Sequence, residues 1–337
     1  MVSFASKLYA THSFSADLVF FSRPDARAFC RENETLEART GAILTQNGRF
    51  SRIPLEVTLL NDDSGRVQFA ICNEIFKGWK LEDIFAYTHR LGYDGVEIAP
   101  FTIADSVTQI SRQERQAIRD AAARNQVKIA GIHWVLVKPE GLYMNHPDGT
   151  IRERTAVYFR ELVDFCADIG GKVMVVGSPK QRNVMPGITL EQAAEWAAET
   201  FRAAVSQAEE RSVTICFEPL GPAETNFINS AEAALAFVAR VPSLAFRIIL
   251  DVKAMCTETK PIPTIIRESW PHFAHFHAND KNLKGPGFGE VDFVPIAAAL
   301  KEVGYNGFVS VEVFNFDEGP EVIAGKSLEY LKRTFGS

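Results

Sequence analysis

The stretch VGYNGFVSVEV, residues 303–313, places a glycine at the end of a helix-like segment and then a run of apolar and β-branched residues. Glycine commonly ends a helix because it adopts the left-handed conformation at little cost. A similar phrase, LGYDGVEI, occupies residues 91–98. Two such helix–turn–strand junctions, far apart in one chain, predict a repeated β/α unit.

From residue 67 onward, short apolar runs alternate with longer segments of helical period. The pattern predicts eight strands: VQFAIC (67–72), GVEIAP (95–100), VKIAGIHW (127–134), KVMVVGS (172–178), VTICFEP (213–219), FRIILDV (246–252), HFAHFHA (272–278) and GFVSVEVF (307–314). Helical segments are predicted at 80–92, 111–125 with Ser111 as N-cap, 155–171, 189–211, 230–240, 262–270, 293–305 and 322–335. Eight strands, each followed by a helix, predict an α/β fold of the (β/α)₈ TIM barrel type.

Residues 1–66 lack this alternation, so we predict a short N-terminal extension before a barrel of residues 67–337. Within the extension, the segment 41–53 carries the Asn47-Gly48 pair that is typical of a tight β-hairpin turn. The sequence favours equally an ordered accessory hairpin and a partly disordered segment. It indicates no function for this part of the chain.

Composition limits the class of partner. The 337 residues are 46% hydrophobic, with no run long enough to span a membrane, and the net charge is −6. An acidic chain is a poor binder of phosphate backbones, so neither nucleic acid nor membrane is expected as a partner. Five scattered cysteines indicate neither a disulfide framework nor a thiolate zinc site, which fits a cytoplasmic protein with a small-molecule substrate. The sequence leaves a homo-oligomer open.

Ligand-type side chains stand at the ends of the last four predicted strands: Glu218, Asp251, His277 and Glu312. Carboxyl ends of barrel strands meet at one face, where catalytic groups of this fold lie. Three carboxylates and one imidazole suit Mn²⁺, Mg²⁺ or Co²⁺. Each acid alone could equally be a helix cap or an ion-pair partner. His275, two residues before His277, also faces the barrel interior, and we favour a structural core histidine over a support for the site.

The order and separation of these four residues, 33, 26 and 35 positions apart, resemble the xylose isomerase-like TIM barrel superfamily. The pattern is similar in particular to the sugar 3-epimerases of the D-tagatose and D-psicose type. The phrases YDGVEI, FEP and GFVSVEVF are also similar to phrases common in sugar phosphate isomerase/epimerase-like proteins. The resemblance covers about residues 67–335.

This resemblance implies a divalent-metal-dependent sugar isomerase or epimerase, with Mn²⁺ as the expected metal and Mg²⁺ or Co²⁺ as alternatives. Glu218 and Glu312 would be both metal ligands and the acid/base pair, while Asp251 and His277 would only bind the metal. One glutamate would remove a proton α to the carbonyl of a sugar or keto sugar, the metal would stabilise the enediolate, and the other glutamate would return a proton. Glu224 would contact the carbonyl end of the sugar.

The chain departs from those epimerases at Ala254 and Leu283, where the family usually carries a histidine and an arginine that contact substrate oxygens. Other residues are therefore expected to bind the substrate. The candidates near strand ends are Glu97, His133, Trp134 and Lys253, and the loop GSPKQR (177–182) adds Lys180 and Arg182. Trp134 could equally be rim packing, and the basic loop could equally be solvated.

Three alternatives remain. The same metal and acids would serve a lyase or dehydratase, as in inosose dehydratases, or a C-glycoside deglycosidase that acts on 3-keto sugars. An AP endonuclease is less favoured, because its three-zinc site needs more histidines and the chain is acidic. A noncatalytic carbohydrate-binding barrel would not need all four ligand-type residues.

Overall fold

The computed structural model describes residues 66–336 and the backbone of two short strands before them. These strands, β1 (Ala42–Leu44) and β2 (Phe50–Arg52), pair antiparallel, with Ile43 opposite Ser51. This pairing is the one expected of the predicted hairpin. The Asn47-Gly48 turn and the rest of the predicted extension up to residue 65 lie outside the described residues, so its extent stays a prediction.

The eight predicted strands are confirmed, and they form a closed parallel barrel in chain order. They are β3 (Gln68–Cys72), β4 (Gly95–Ile98), β5 (Lys128–Ile132), β6 (Val173–Val176), β7 (Thr214–Phe217), β8 (Phe246–Asp251), β9 (Phe273–Ala278) and β10 (Phe308–Val311). The last strand closes on the first, with Val309 opposite Phe69. The strands are almost continuously buried, as a parallel sheet covered by helices requires.

Helices surround the barrel over residues 81–335. They are α1 (Leu81–Leu91), α2 (Arg112–Arg124), α3 (Gly149–Ile169), α4 (Leu190–Arg211), α5 (Ala231–Val238), α6 (Val252–Met255), α7 (Ile262–Ser269), α8 (Val294–Glu302) and α9 (Pro320–Phe335). In the part of the chain that the structure covers, none of them has both the length and the apolar character needed to cross a bilayer.

Capping contacts explain why some predicted helix boundaries agree with the structure and others differ from it. Ser111 caps α2 in a reciprocal capping box with Glu114, as predicted for this N-cap. Helix α3 begins before the predicted Thr155, because the Asp148 carboxylate accepts a hydrogen bond from the Thr150 amide and starts the helix there. The short helix α6 is not predicted, and it begins directly after Asp251, whose carboxylate caps it.

An aromatic cluster packs α3, α4 and α5 against the barrel wall. Phe201 of α4 is stacked on Phe159, with ring centroids 5.0 Å apart, and lies 4.7 Å from the Phe246 ring of β8. It also contacts Phe217 of β7 and Phe237 of α5 edge-on. These contacts hold the helices against β7 and β8, the strands that carry Glu218 and Asp251.

We expect Phe201→Ala to lower the free energy of unfolding by about 3–5 kcal/mol, because it leaves a cavity where several buried rings meet. Urea denaturation followed by circular dichroism measures this change. The matched control is Leu244→Ala, since the Leu244 side chain is 68% exposed and its loss should change stability by less than about 0.5 kcal/mol. Equal midpoints for the two variants would contradict the packing described here.

Candidate metal centre

Four neighbouring strands bring the predicted ligand-type residues to one point. Glu218 follows the end of β7, Asp251 ends β8, His277 lies in β9 and Glu312 follows β10. One possible ligand atom from each of the four lies within 4.8 Å of the others. All four side chains are buried, and Glu218, the least buried, is 5% exposed.

The polar atoms of this cluster fit a divalent cation. His277 Nδ1 lies 3.2 Å from Glu312 Oε2 and 3.8 Å from Glu218 Oε1. Among the described residues, neither His277 Nδ1 nor Glu312 Oε2 has a hydrogen-bond partner, although both are buried. Burial and the neighbouring Glu218 carboxylate raise the pKa of Asp251 to about 7. A bound cation would satisfy the orphaned atoms and compensate the crowded carboxylates.

Other contacts of the carboxylates fix their orientation. Asp251 Oδ1 accepts a hydrogen bond from the Ala254 amide at 2.7 Å, and Oδ2 accepts one from Asn279 Nδ2 at 2.6 Å. Glu312 Oε1 accepts a hydrogen bond from Trp134 Nε1 at 2.9 Å, which leaves Oε2 directed at the cluster. Such outer contacts hold metal ligands in place in known sites. Trp134 is therefore both a support of Glu312 and part of the barrel rim.

Glu97 lies directly behind His277 and is completely buried. His277 Nε2 is 3.2 Å from both of its oxygens, and His275 Nε2 is 2.8 Å from Oε2. Despite burial, His275 and His277 hold the pKa of Glu97 well below its ordinary value, so it is an ionised acceptor. Since an ionised carboxylate can only accept, His277 Nε2 carries a proton and Nδ1 faces the cluster. Glu97 thus orients His277, and His275, although buried as we favoured from the sequence, also supports the site through its contact with Glu97.

The two basic residues of the loop after β6 differ in their exposure to solvent. Lys180 lies exposed in a 3₁₀ turn, Pro179–Gln181. Arg182 is fully buried, and its guanidinium donates to the backbone carbonyl of Glu218 and stacks on the Phe217 ring at 4.4 Å. Arg182 therefore holds the backbone of Glu218 beneath the site, which is a positioning role and not the substrate contact expected from the sequence.

Glu224 and Lys253, both expected to contact substrate, form one ion pair. Lys253 Nζ lies 2.6 Å from Glu224 Oε1 and 4.3 Å from the centroid of the Phe314 ring. The Gly221 amide donates to Glu224 Oε2 at 3.2 Å. Both residues were candidates from the sequence, but their ion pair was not predicted. The pair joins the loop after β7 to helix α6.

His133 is buried, and its Nε2 lies 2.8 Å from Glu74 Oε2. Although burial opposes it, the Glu74 carboxylate raises the pKa of His133 to about 9. Glu74 is a site residue that sequence reasoning missed; its position just after β3, at the end of a barrel strand, was the available signal.

Possible ligand atoms of Cys72, Glu74 and His133 also lie within 4.8 Å of one another. Burial and the nearby Glu97 charge raise the pKa of the Cys72 thiol well above its ordinary value. Because the thiolate is the form that binds metals, this group is a weaker candidate than the cluster around His277.

Gly177, after β6, leaves the space that the Glu218 carboxylate occupies, since a Cβ added there would lie 1.7 Å from Glu218 Oε2. We expect Gly177→Ala to displace this carboxylate and weaken Mn²⁺ binding by about tenfold or more. Calorimetric titration with Mn²⁺ measures the change. Gly325→Ala in α9, where a new Cβ meets nothing within 4 Å, is the control and should bind Mn²⁺ like the unmodified chain. Unchanged affinity in Gly177→Ala would contradict the position described here for the Glu218 carboxylate.

Comparisons with known proteins agree with this architecture. The family model described as "Xylose isomerase-like TIM barrel" matches residues 85–334. The chain is 26% identical over 227 residues to D-psicose 3-epimerase of Ruminiclostridium cellulolyticum, covering 67% of this chain and 75% of the relative. It is 25% identical over 251 residues to L-ribulose 3-epimerase of Mesorhizobium japonicum, covering 74% and 80%.

Among solved structures, a crystal structure of D-psicose 3-epimerase in the presence of D-fructose superimposes with a TM-score of 0.72. At 18% sequence identity, covering 80% of this chain and 100% of that one, it shows a shared fold. The family model spans most of the barrel, including all four residues of the candidate metal centre. The chain therefore belongs to the xylose isomerase-like TIM barrel family.

Proposed function

We propose that the protein is a divalent-metal-dependent sugar epimerase or isomerase that works by proton transfer at a carbon next to a carbonyl. The observation that carries this proposal is the convergence of two buried glutamates, Glu218 and Glu312, on one candidate metal centre. They come from β7 and β10, with β8 and β9 between them, so the two carboxylates approach the centre from different sides. A substrate carbon between them would have one carboxylate on each face.

In the proposed reaction, Glu218 and Glu312 carry out the proton transfer. One glutamate takes the proton as the C–H bond breaks, and the electron pair moves toward the carbonyl oxygen. The other glutamate, in its protonated form, delivers a proton to the opposite face of the same carbon, which inverts its configuration. A divalent cation bound here would supply positive charge to the carbonyl oxygen and lower the free energy of the charged intermediate.

Glu312 is suited to the role of base. Although burial opposes it, the positive charge of protonated His277 lowers the pKa of Glu312, and a bound cation would act in the same direction. Trp134 holds one of its oxygens, and the other is the orphaned atom that faces the cluster. Asp251 and His277 complete the proposed ligand set, with Mn²⁺ as the expected ion and Mg²⁺ or Co²⁺ as alternatives.

The paired Glu224 and Lys253 are the residues that we propose to contact the substrate near its carbonyl end. Glu224 sits in the loop that follows Glu218, and Lys253 is two residues after Asp251. The pair supplies acceptors and donors on the side where Ala254 and Leu283 offer none. Lys180 is exposed enough to reach a distal part of a substrate, whereas Arg182, Glu97 and His133 support the site from within.

The relatives support a sugar as substrate class. Relatives of this chain bear the names D-psicose 3-epimerase and L-ribulose 3-epimerase, which denote sugar epimerases. Their shared reaction requires an acid/base pair on the two faces of one carbon, and Glu218 and Glu312 can form such a pair.

Incubation of the Mn²⁺-loaded enzyme with ketoses and keto sugars in D₂O tests the proposal. We expect deuterium to enter the carbon next to the carbonyl, with formation of the epimer, and chelation of the metal to abolish both. NMR and mass spectrometry follow the label. Loss of water or of a substituent from the labelled substrate would assign the lyase alternative instead, and turnover that survives chelation would contradict the proposal.

Glu218→Gln and Glu312→Gln test the two roles separately. We expect each to lower epimerisation by about 10²–10⁴-fold, while residual deuterium exchange is confined to the one epimer whose proton faces the remaining glutamate. The control is Glu302→Gln, because Glu302 lies exposed on α8 in an ion pair with Arg267. Equal residual exchange from both epimers in either variant would contradict a two-sided acid/base pair.

A further inference from the structure

Beside the metal centre lies a cavity of about 580 Å³, within the size range of small-molecule sites. Its wall is dominated by six aromatic residues, Phe76, Trp79, Phe101, Trp134, Phe314 and Phe316. None of the four ligand-type residues of the metal centre lines it. A molecule whose carbonyl lies at the metal centre therefore has its reacting carbon outside this cavity and can place another part inside it.

The cavity is continuous with the site through two residues. The ring of Trp134 lines the cavity, and its Nε1 donates to Glu312 at 2.9 Å. Phe314, two residues after Glu312, also lines the cavity and contacts Lys253. A substrate held between the two glutamates and the Glu224–Lys253 pair would therefore extend directly over these rings.

Two polar residues in the wall, Asn73 and Thr102, are already engaged within the protein. Asn73 donates to the Thr102 hydroxyl at 2.8 Å and accepts from the Ala99 amide at 2.7 Å, and the Thr102 hydroxyl donates to the Ala99 carbonyl. Glu74 Oε2 is bonded to His133, whereas Glu74 Oε1, which has no partner among the described residues, and the exposed Lys77 are polar groups left for a ligand. Sugar hydroxyls placed here would lose hydrogen bonds to water and find few replacements, which is costly, whereas an aromatic ring would lose none.

From these observations we infer that the substrate is a keto sugar that carries an aromatic group, and that this group occupies the cavity. The inference rests on the proposed function, because it places the keto group at the metal centre. It assigns specificity to Phe101 and Phe316, whose rings are accessible from the cavity and which offer an aromatic substituent, but not a methyl group, extended contact.

Binding of unreactive probes tests the cavity without requiring turnover. We expect phenyl β-D-glucoside to bind the Mn²⁺-loaded enzyme about tenfold more tightly than methyl β-D-glucoside in calorimetric titrations. Phe101→Ala and Phe316→Ala should reduce this preference, while Leu244→Ala, before β8 at the other end of the barrel, should retain it. Equal affinity for the two probes would overturn the inference, as would no binding of the phenyl compound, the result expected if another segment fills the cavity.

Turnover of the matching 3-keto glucosides then separates the two proposals. We expect kcat/KM for deuterium exchange to be about tenfold higher for the phenyl than for the methyl compound, with Phe316→Ala reducing the ratio. Metal-dependent exchange at equal kcat/KM would overturn the aromatic specificity and leave the proposed function standing. Exchange with neither compound, while ketoses still exchange, would overturn the inference alone; exchange with none of these substrates would contradict the proposed function as well.

Discussion

Three buried carboxylates and one imidazole share a small volume at the mouth of the barrel, and the surrounding structure is organised by the cost of keeping them there. Buried carboxylates are stable only when hydrogen bonds or positive charge compensate them. Trp134, Asn279 and the start of α6 supply hydrogen bonds to Glu312 and Asp251. Those contacts leave two facing atoms, His277 Nδ1 and Glu312 Oε2, without partners among the described residues, and a divalent cation would satisfy both.

Residues beneath the mouth of the barrel hold these four side chains in position. Glu97 stands behind His277 and selects which imidazole nitrogen faces the centre. Arg182 ties the backbone of Glu218 from within, and Gly177 leaves room for its carboxylate. Aromatic packing around Phe201 holds the helices that cover β7 and β8. The proposed proton transfer therefore depends on groups that never touch a substrate, because they set where the two glutamates point.

The fold and the central four residues could be predicted from the sequence, because parallel strands of a barrel end at one face and each of these residues stands at a strand end. What the sequence could not indicate was contact through space. Arg182 looked like a loop cation but folds inward onto Glu218, and Lys253 of α6 pairs with Glu224 in the loop after β7. Glu74 was overlooked, although it too follows a barrel strand. Helix α6 was not predicted, because a helix of four residues is too short to show a hydrophobic period. The aromatic cavity draws its residues from four separate loops, so no single stretch of sequence indicates it.

Anomalous diffraction at the manganese edge from crystals of the Mn²⁺-loaded protein tests the central claim most directly. The account predicts one strong peak that is bonded to Glu218, Asp251, Glu312 and the Nδ1 atom of His277. A peak bound instead by Cys72, Glu74 and His133, or no peak at the mouth of the barrel at saturating Mn²⁺, would contradict it.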